Sequence, residues 1–289
     1  MLAPACATGM RGWADMSEMW DSVAPGWEAN AEFVDAQLAL ATEALLDEAG
    51  VGEGAAVLDL AAGPGGAGLA AADRVGSGGS VLLSDVAGEM MRVAARRASA
   101  MPQMSTAVFD QSAIAAGDAS FDAVINRHGL MFVEDPVAVI AEAVRVLWPG
   151  GRYAAMTWDR RELNPWLGLV LDAVSEQFGV PFPPPNIRGP FSLDDPAAFT
   201  RVLVDGGLRE VTVRAVATPM RAVSLEEWWE RVPKLAGPLG IALAGMEADI
   251  RDAIAQRAMR SGAEMATDEA GGIVFPGSSL IGSGRKPPD

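Results

Sequence analysis

The sequence has one cysteine and one histidine among its 289 residues, and fewer basic than acidic side chains. Because Cys6 has no second cysteine to pair with, no disulfide and no cysteine-based zinc site can form within the chain, which favours a reducing compartment. Lysine and arginine number 22 against 38 acidic residues, a net charge of −16. Nucleic acids and anionic membranes bind through basic groups, so this balance argues against both and favours a small-molecule substrate.

Long apolar runs are also missing. Residues 1–10 lack the basic start and continuous apolar run of a signal peptide, and no uncharged stretch stays hydrophobic for the roughly 20 residues of a membrane span. We therefore expect a cytoplasmic protein. Half of the residues are hydrophobic, so the chain can bury a full core. The sequence leaves a homodimer open.

Predicted strands and helices alternate through the first half of the chain. The spacing predicts helices over residues 31–49 and 137–147, the second closed by the turn Pro149-Gly150-Gly151. The strand candidates are residues 56–60, 80–84, 105–109, 121–125 and 152–157. This alternation indicates crossover units in a mainly parallel sheet with helices on both faces.

The pattern becomes irregular after residue 158. We predict helices over residues 164–179, 194–206, 225–234 and 246–265, a proline-rich loop at 181–190, and strands at 210–215 and 279–283. The helices in this half would form a cap over the sheet.

A glycine-rich turn follows the first predicted strand in the run VLDLAAGPGG, residues 57–66. Glycines at such a junction let the backbone bend sharply and approach a ligand, while the next helix presents unpaired N–H groups. Asp85 follows the second strand, 22 positions after Gly63, where its carboxylate can accept hydrogen bonds from ribose hydroxyls. These two features fit any nucleoside cofactor. The G-x-G-x-x-G match at residues 63–68 also fits a nicotinamide dehydrogenase.

Five motifs in order narrow this choice: VLDLAAGPGG, LLSDVAGEMM, FDQ, FDAVINRHGLMFVEDP and VLWPGGRYAAMTW. Together they resemble the class I S-adenosylmethionine-dependent methyltransferases, in particular the branch of the ubiquinone and menaquinone C-methyltransferases. The resemblance implies an α/β fold with a Rossmann-like, seven-stranded, mostly parallel sheet whose last strand is antiparallel. It divides the chain into an N-terminal helical lid (1–50), a cofactor-binding core (51–160, completed by 190–222 and 270–289) and helical substrate-cap insertions (161–189 and 223–269).

The resemblance also implies an S-adenosylmethionine site and the residues that form it. Asp59, Gly63 and Gly65 would line the methionine end, and Asp85 would bind the ribose. The remaining contacts would come from Val86 and Met90 beside the adenine, Asp110 on the adenine amine with Gln111 next to it, and Asn126 near the sulfonium. A helix N-cap is the alternative role for Asp85 and Asp110. No metal site is expected.

His128, the only histidine, directly follows the motif strand at residues 121–125. Methyl transfer mainly requires alignment of the reacting atoms, but an oxygen nucleophile benefits from a positioned base. His128 is therefore a candidate base, with a structural hydrogen-bonding role as the alternative.

Aromatic side chains are frequent in the predicted lid and cap. Trp13, Trp20 and Trp27 are spaced by seven and would close over the cofactor or simply dock a helix on the sheet. A flat or lipophilic acceptor, such as a phenol, quinol or polyketide-like compound, would be enclosed by Phe178, Phe182, Trp228, Trp229 and Leu235.

The sequence thus predicts O-, C- or N-methylation of a small acceptor. The same fold and cofactor could instead serve a cyclase or a cofactor-binding subunit. A dehydrogenase fits less well, because the later motifs belong to the methyltransferase pattern.

Overall fold

The computed structural model describes residues 13–185 and 187–288. Cys6 and the segment 1–10, on which the signal-peptide expectation rests, lie outside the described residues. None of the helices within the described ranges combines the length and apolarity needed to cross a membrane.

The elements follow the predicted alternation. In the described residues the strands are β1 (Ala56–Leu60), β2 (Ser80–Asp85), β3 (Met104–Val108), β4 (Phe121–Arg127), β5 (Leu147–Trp158), β6 (Arg209–Ala217), β7 (Met220–Ala222), β8 (Thr267–Glu269), β9 (Gly272–Phe275) and β10 (Ser278–Arg285). The helices are α1 (Trp13–Glu48), α2 (Gly66–Val75), α3 (Gly88–Arg97), α4 (Pro136–Val146), α5 (Pro165–Phe178), α6 (Pro196–Asp205), α7 (Leu225–Leu235), α8 (Pro238–Ala244) and α9 (Ala248–Met265).

Seven strands form one sheet in the order β3-β2-β1-β4-β5-β10-β6. Strands β1 to β5 pair in parallel, and β10 is antiparallel to both β5 and β6. The predicted fold class is therefore confirmed, including the final antiparallel pair. Because β1, β2 and β4 are parallel neighbours, their carboxyl ends meet at one edge of the sheet, where ligands bind in open α/β folds.

Apolar side chains on both faces of the sheet explain the helical layers. One cluster buries Leu58 and Leu60 of β1 with residues of α4 and α6. The other buries Val57 with residues of α1 and α2. A strand buried on both faces is a mostly apolar run, which is the pattern that β1 has in the sequence apart from Asp59.

Helix α1 is longer than predicted, because it continues through Pro25 and Gly26 to begin at Trp13. Proline and glycine favour helix ends, so the pattern predicted a start at residue 31. Tertiary contacts hold the helix on both sides of Pro25. The Glu89 N–H donates to Asp21 Oδ1 at 2.7 Å, and Arg231 Nη1 donates to Asn30 Oδ1 at 3.0 Å.

Two further differences concern short extended segments. The Pro149-Gly150-Gly151 turn lies within β5, next to a register shift in the pairing with β4. Strands β7, β9 and β8 form a separate antiparallel sheet of three strands in the cap, so β7 and β9 do not extend the main sheet. Strands of three or four residues are too short for an alternating pattern to reveal.

Candidate active site

A cavity of about 920 Å³ lies at the carboxyl edge of the main sheet. One side is formed by the turn after β1, the end of β2 and the loops after β3 and β4. The other side is formed by α1 and by residues of α5, α7 and α8. The cavity is thus enclosed between the sheet, the lid helix and the cap, and it has room for two small ligands.

The glycine turn forms the floor of this cavity. Gly63 has a φ of +54° and lines the cavity, and a Cβ built there would meet nothing within 4 Å. Gly65 has a φ of +88°, but a Cβ there would lie 3.0 Å from Leu83 Cδ1. The turn therefore needs glycine at both positions for its backbone conformation. Only Gly63 faces the ligand space.

Asp85 fastens this turn to the end of β2. Its Oδ2 accepts a hydrogen bond from the Gly63 N–H at 2.9 Å, and its Oδ1 accepts one from the Ala87 N–H at 2.9 Å. Burial raises the pKa of Asp85, and these backbone donors oppose the rise. Each oxygen keeps a further lone pair. Asp85 lines the cavity and can accept hydrogen bonds from a pair of ligand hydroxyls.

Asp59 lies behind the turn and does not line the cavity. Its carboxyl is fully buried, and neither oxygen has a hydrogen-bond partner among the described residues. Burial raises the pKa of Asp59 to about 7, while the nearby charge of Arg127 opposes the rise. An unpaired acid in the core is costly, and such groups concentrate at functional sites.

The loop after β3 supplies two further cavity residues, Asp110 and Gln111. Asp110 Oδ1 accepts hydrogen bonds from the Ser112 N–H and Oγ, both at 2.8 Å. Its Oδ2 has no hydrogen-bond partner in the described part of the chain. Gln111 Oε1 accepts a hydrogen bond from Asn126 Nδ2 at 2.6 Å. The geometry brings Asp110 and Gln111 to the same cavity wall as Asp85.

Asn126, like Asp59, lies behind the cavity wall. It is fully buried and does not line the cavity. Its Oδ1 accepts hydrogen bonds from the N–H groups of Gly129 and Leu130, both at 3.0 Å. Its Nδ2 donates to Gln111 Oε1. The side chain thus joins the loop after β3 to the loop after β4 and has these partners in place of a ligand.

Val86 and Met90 lie beneath the lid helix. Both line the cavity, and Met90 is buried against Ala24 and Ala87 with the rings of Trp20 and Trp27 packed alongside. Trp20 meets the edge of Phe132 across the cavity, with ring centroids 5.2 Å apart. Trp20 and Trp27 of the predicted lid therefore cover the ligand space, while the side chain of Trp13 lies outside the described part of the chain.

His128 stands at the opposite wall with a φ of +60°, in the left-handed region. Its ring stacks on Trp158 at 3.8 Å, and its Nε2 lies 3.2 Å from Ser279 Oγ. Burial and the charge of Arg127 hold the pKa of His128 well below its ordinary value. The side chain is therefore a neutral imidazole at pH 7.

The aromatic side chains that line the cavity differ from those predicted for the cap. Of the five predicted residues only Leu235 lines the cavity; Trp228 is buried in the cap core, where its Nε1 donates to Trp166 O at 2.8 Å, and Phe178 is 40% exposed. Phe182 and Trp229 pack against the same cap core. The cavity is lined instead by Phe33, Trp158 and Trp166, which come from three separate segments. No local pattern links these residues, so the sequence gives no signal for them.

The sequence also did not predict an ion-pair network beneath the glycine turn. Asp35 of α1 forms salt bridges with Arg97 and Arg127, and Arg97 donates to Pro64 O at 2.7 Å. A Cβ at Gly66 would lie 1.8 Å from Asp35 Oδ1, so the small residue lets the carboxylate approach the start of α2. The network ties the lid helix to the glycine turn.

Comparison with known proteins identifies the domain that carries this cavity. Residues 57–151 match the family model described as a methyltransferase domain. The chain is 30% identical over 153 residues to the demethylmenaquinone methyltransferase of Renibacterium salmoninarum, covering 53% of this chain and 62% of that protein. It is 36% identical over 115 residues to an uncharacterized protein of Mycobacterium bovis, covering 39% of this chain and 41% of that protein.

The fold has a wider match than the sequence. The crystal structure of the [4+2]-cyclase SpnF superposes with a TM-score of 0.60 at 18% identity, covering 97% of this chain and 98% of that one. The curated relatives, by contrast, are matched over about half of their length. The match of residues 57–151 to a methyltransferase domain and the Renibacterium relative confirm the predicted resemblance to the class I S-adenosylmethionine-dependent methyltransferases.

Proposed function

We propose that this chain transfers a methyl group from S-adenosylmethionine to a small, predominantly apolar or aromatic acceptor. The observation that carries the proposal is the single cavity at the carboxyl edge of the sheet, which joins two unlike halves. One half presents Gly63, Asp85 and Asp110, and the other presents mainly apolar and aromatic side chains of the lid and cap. A polar cofactor and a lipophilic acceptor would meet between them.

The residues of the first half fit the cofactor. Gly63 leaves open space where any side chain would intrude, and Asp85 has lone pairs free for the ribose hydroxyls. The free Oδ2 of Asp110 suits an adenine amine, and Val86 and Met90 offer apolar surface for the ring. When bound, the cofactor supplies an electrophilic methyl group on a positively charged sulfur. The chain contributes alignment of the two ligands and exclusion of water by the lid.

The acceptor half suits a molecule with one reactive polar atom on an apolar body. Trp158 and Trp166 meet edge to face, with ring centroids 5.0 Å apart, and both line the cavity beside His128. His128 would accept the proton of a hydroxyl acceptor, and a nucleophilic ring carbon would need less help. The Renibacterium relative is named for a quinone-type acceptor. A quinol or phenol is therefore the acceptor class that we would test first.

Titration calorimetry with S-adenosylhomocysteine tests the cofactor assignment. We expect binding by the wild type and a loss of about 10- to 100-fold for Asp85→Asn, since a hydrogen bond to a charged group contributes roughly 1.5–3 kcal/mol. Asp73→Asn, on the exposed face of α2, is the matched control and should bind like the wild type. No binding by the folded wild type at millimolar ligand would end the proposal.

Mass spectrometry of acceptors incubated with the chain and S-adenosylmethionine separates methyl transfer from the cyclase alternative. Methylation adds the mass of one methylene group, whereas cyclisation leaves the mass unchanged. In a methylating reaction His128→Ala should cut turnover sharply and leave S-adenosylhomocysteine affinity intact. Unchanged turnover would remove the base role.

A further inference from the structure

Three polar side chains are joined in a row at the cavity: His128 and Thr218 line it, and the buried Ser279 lies between them. His128 Nε2 lies 3.2 Å from Ser279 Oγ, and Ser279 Oγ lies 3.1 Å from Thr218 Oγ1. Ser279 and Thr218 are both buried. The three residues come from the end of β4, from β10 and from the residue after β6, so the fold brings together groups that are far apart in sequence.

The rest of the His128 environment fixes its ring. Trp158 stacks on one face of the ring at an interplanar angle of 14°, and the backbone N–H of His128 donates to Met156 O at 2.9 Å. The left-handed backbone conformation is uncommon outside glycine and indicates a constrained position. Among the described residues Nδ1 has no hydrogen-bond partner. It is therefore the nitrogen available to a ligand in the cavity.

We infer that Ser279 and Thr218 are positioning residues for His128: they hold Nε2, select one tautomer of the imidazole, and leave Nδ1 to face the acceptor. This inference rests on the proposed function for its role in methyl transfer. The hydroxyl pair can do this because each hydroxyl both donates and accepts. The donor–acceptor direction of one hydrogen bond therefore sets the direction of the next.

The base role requires one of the two possible directions of these hydrogen bonds. The Nε2–H donates to Ser279 Oγ, the Ser279 hydroxyl donates to Thr218 Oγ1, and Nδ1 keeps its lone pair. As the new oxygen–carbon bond forms and the carbon–sulfur bond breaks, the acceptor proton moves to Nδ1 and the sulfur leaves as a neutral thioether. The Nε2–H of the resulting imidazolium continues to donate to Ser279. If the hydrogen bonds run in the reverse direction, Nδ1 carries the hydrogen, and His128 would donate a hydrogen bond to the acceptor from Nδ1.

The single histidine makes this testable without an identified acceptor. Tag-free full-length protein labelled with ¹⁵N-histidine gives one set of imidazole signals, and long-range proton–nitrogen correlation reports the tautomer directly. At pH 7.5 we expect one neutral tautomer in the wild type. Ser279→Ala should populate both tautomers. Thr218→Val should do so partly, and Thr218→Ser, which retains the hydroxyl, should restore the wild-type spectrum.

A tautomer mixture in the wild type, or a wild-type spectrum for Ser279→Ala, would overturn the inference. If Ser279→Ala does not fold, identical spectra for Thr218→Val and Thr218→Ser would overturn it instead. Failure of the proposed function has a different signature. A single tautomer with the hydrogen on Nδ1 supports the positioning role and removes the base role, while absent S-adenosylhomocysteine binding removes the cofactor and leaves the spectrum unaffected.

Discussion

The donor half and the cap half of the molecule around the cavity depend on different kinds of interaction. The donor half uses backbone and charge: a left-handed turn at Gly63, a carboxylate on two backbone N–H groups at Asp85, and an unpaired buried acid at Asp59. The cap half uses aromatic packing, as in the contact of Trp228 with Phe275 at 4.8 Å. A polar cofactor of fixed shape demands exact donors and acceptors, whereas a lipophilic acceptor mainly demands enclosed apolar surface.

The difference predicts that the donor half carries a pH-dependent stability cost that the cap does not. Burial raises the pKa of Asp59 from 3.8 to about 7, so between these values the folded state binds more protons than the unfolded state. The free energy of unfolding therefore falls as pH rises through this window. Asp59→Asn should remove the part of the fall that comes from Asp59 and be more stable than the wild type at pH 8, by on the order of 4 kcal/mol.

Urea unfolding at pH 5.5 and pH 8 measures this effect, with Asp73→Asn as the matched control. The gain for Asp59→Asn should shrink toward the lower pH, and the control should follow the wild type. A variant less stable than the wild type at pH 8 would mean that the Asp59 carboxylate has a stabilising partner, and the contrast between the halves would fail.

In the cap, a substitution that disturbs the packing should lower stability, whereas Asp59→Asn should raise it. Trp228→Phe removes the hydrogen bond to Trp166 O and leaves space in a fully buried site. We expect a loss of about 2–3 kcal/mol in unfolding free energy, nearly independent of pH, from the cavity and the lost hydrogen bond. S-adenosylhomocysteine affinity should change little. A large loss of that affinity in the folded variant would show that the cap core supports the donor half.

Two glycines sharpen the comparison because their local geometry is alike. Gly63 in the turn and Gly179 after α5 both have positive φ values, and a Cβ at either would meet nothing within 4 Å. Alanine at each should cost about 1–2 kcal/mol of stability through the left-handed backbone. Only Gly63→Ala should also weaken S-adenosylhomocysteine binding, by roughly 10-fold or more. Equal affinities for the two variants would mean that the turn does not contact the cofactor.

The same contrast explains what the sequence could predict. The glycine turn and Asp85 follow strands whose apolar runs are visible, and parallel topology then places them at one sheet edge. Phe33 and Trp166 reach the cavity only through the packing of distant segments, so no local spacing in the sequence predicts them. The hydrogen bonds of Asn126 could not be predicted either, because its amide nitrogen donates to Gln111 and its oxygen accepts from Gly129 and Leu130, and these partners belong to two different loops.

The smallest effect is expected in the sheet core shared by both halves. Tyr153 of β5 is fully buried, and its hydroxyl has no partner among the described residues. Tyr153→Phe removes a desolvated polar group without removing a hydrogen bond, so unfolding free energy should stay equal or rise by up to about 1 kcal/mol. Urea unfolding of the two proteins at pH 7.5 measures the difference. A loss above about 1 kcal/mol would mean that the hydroxyl bonds a buried water. The sheet core would then carry a polar contact of the kind that distinguishes the donor half from the cap.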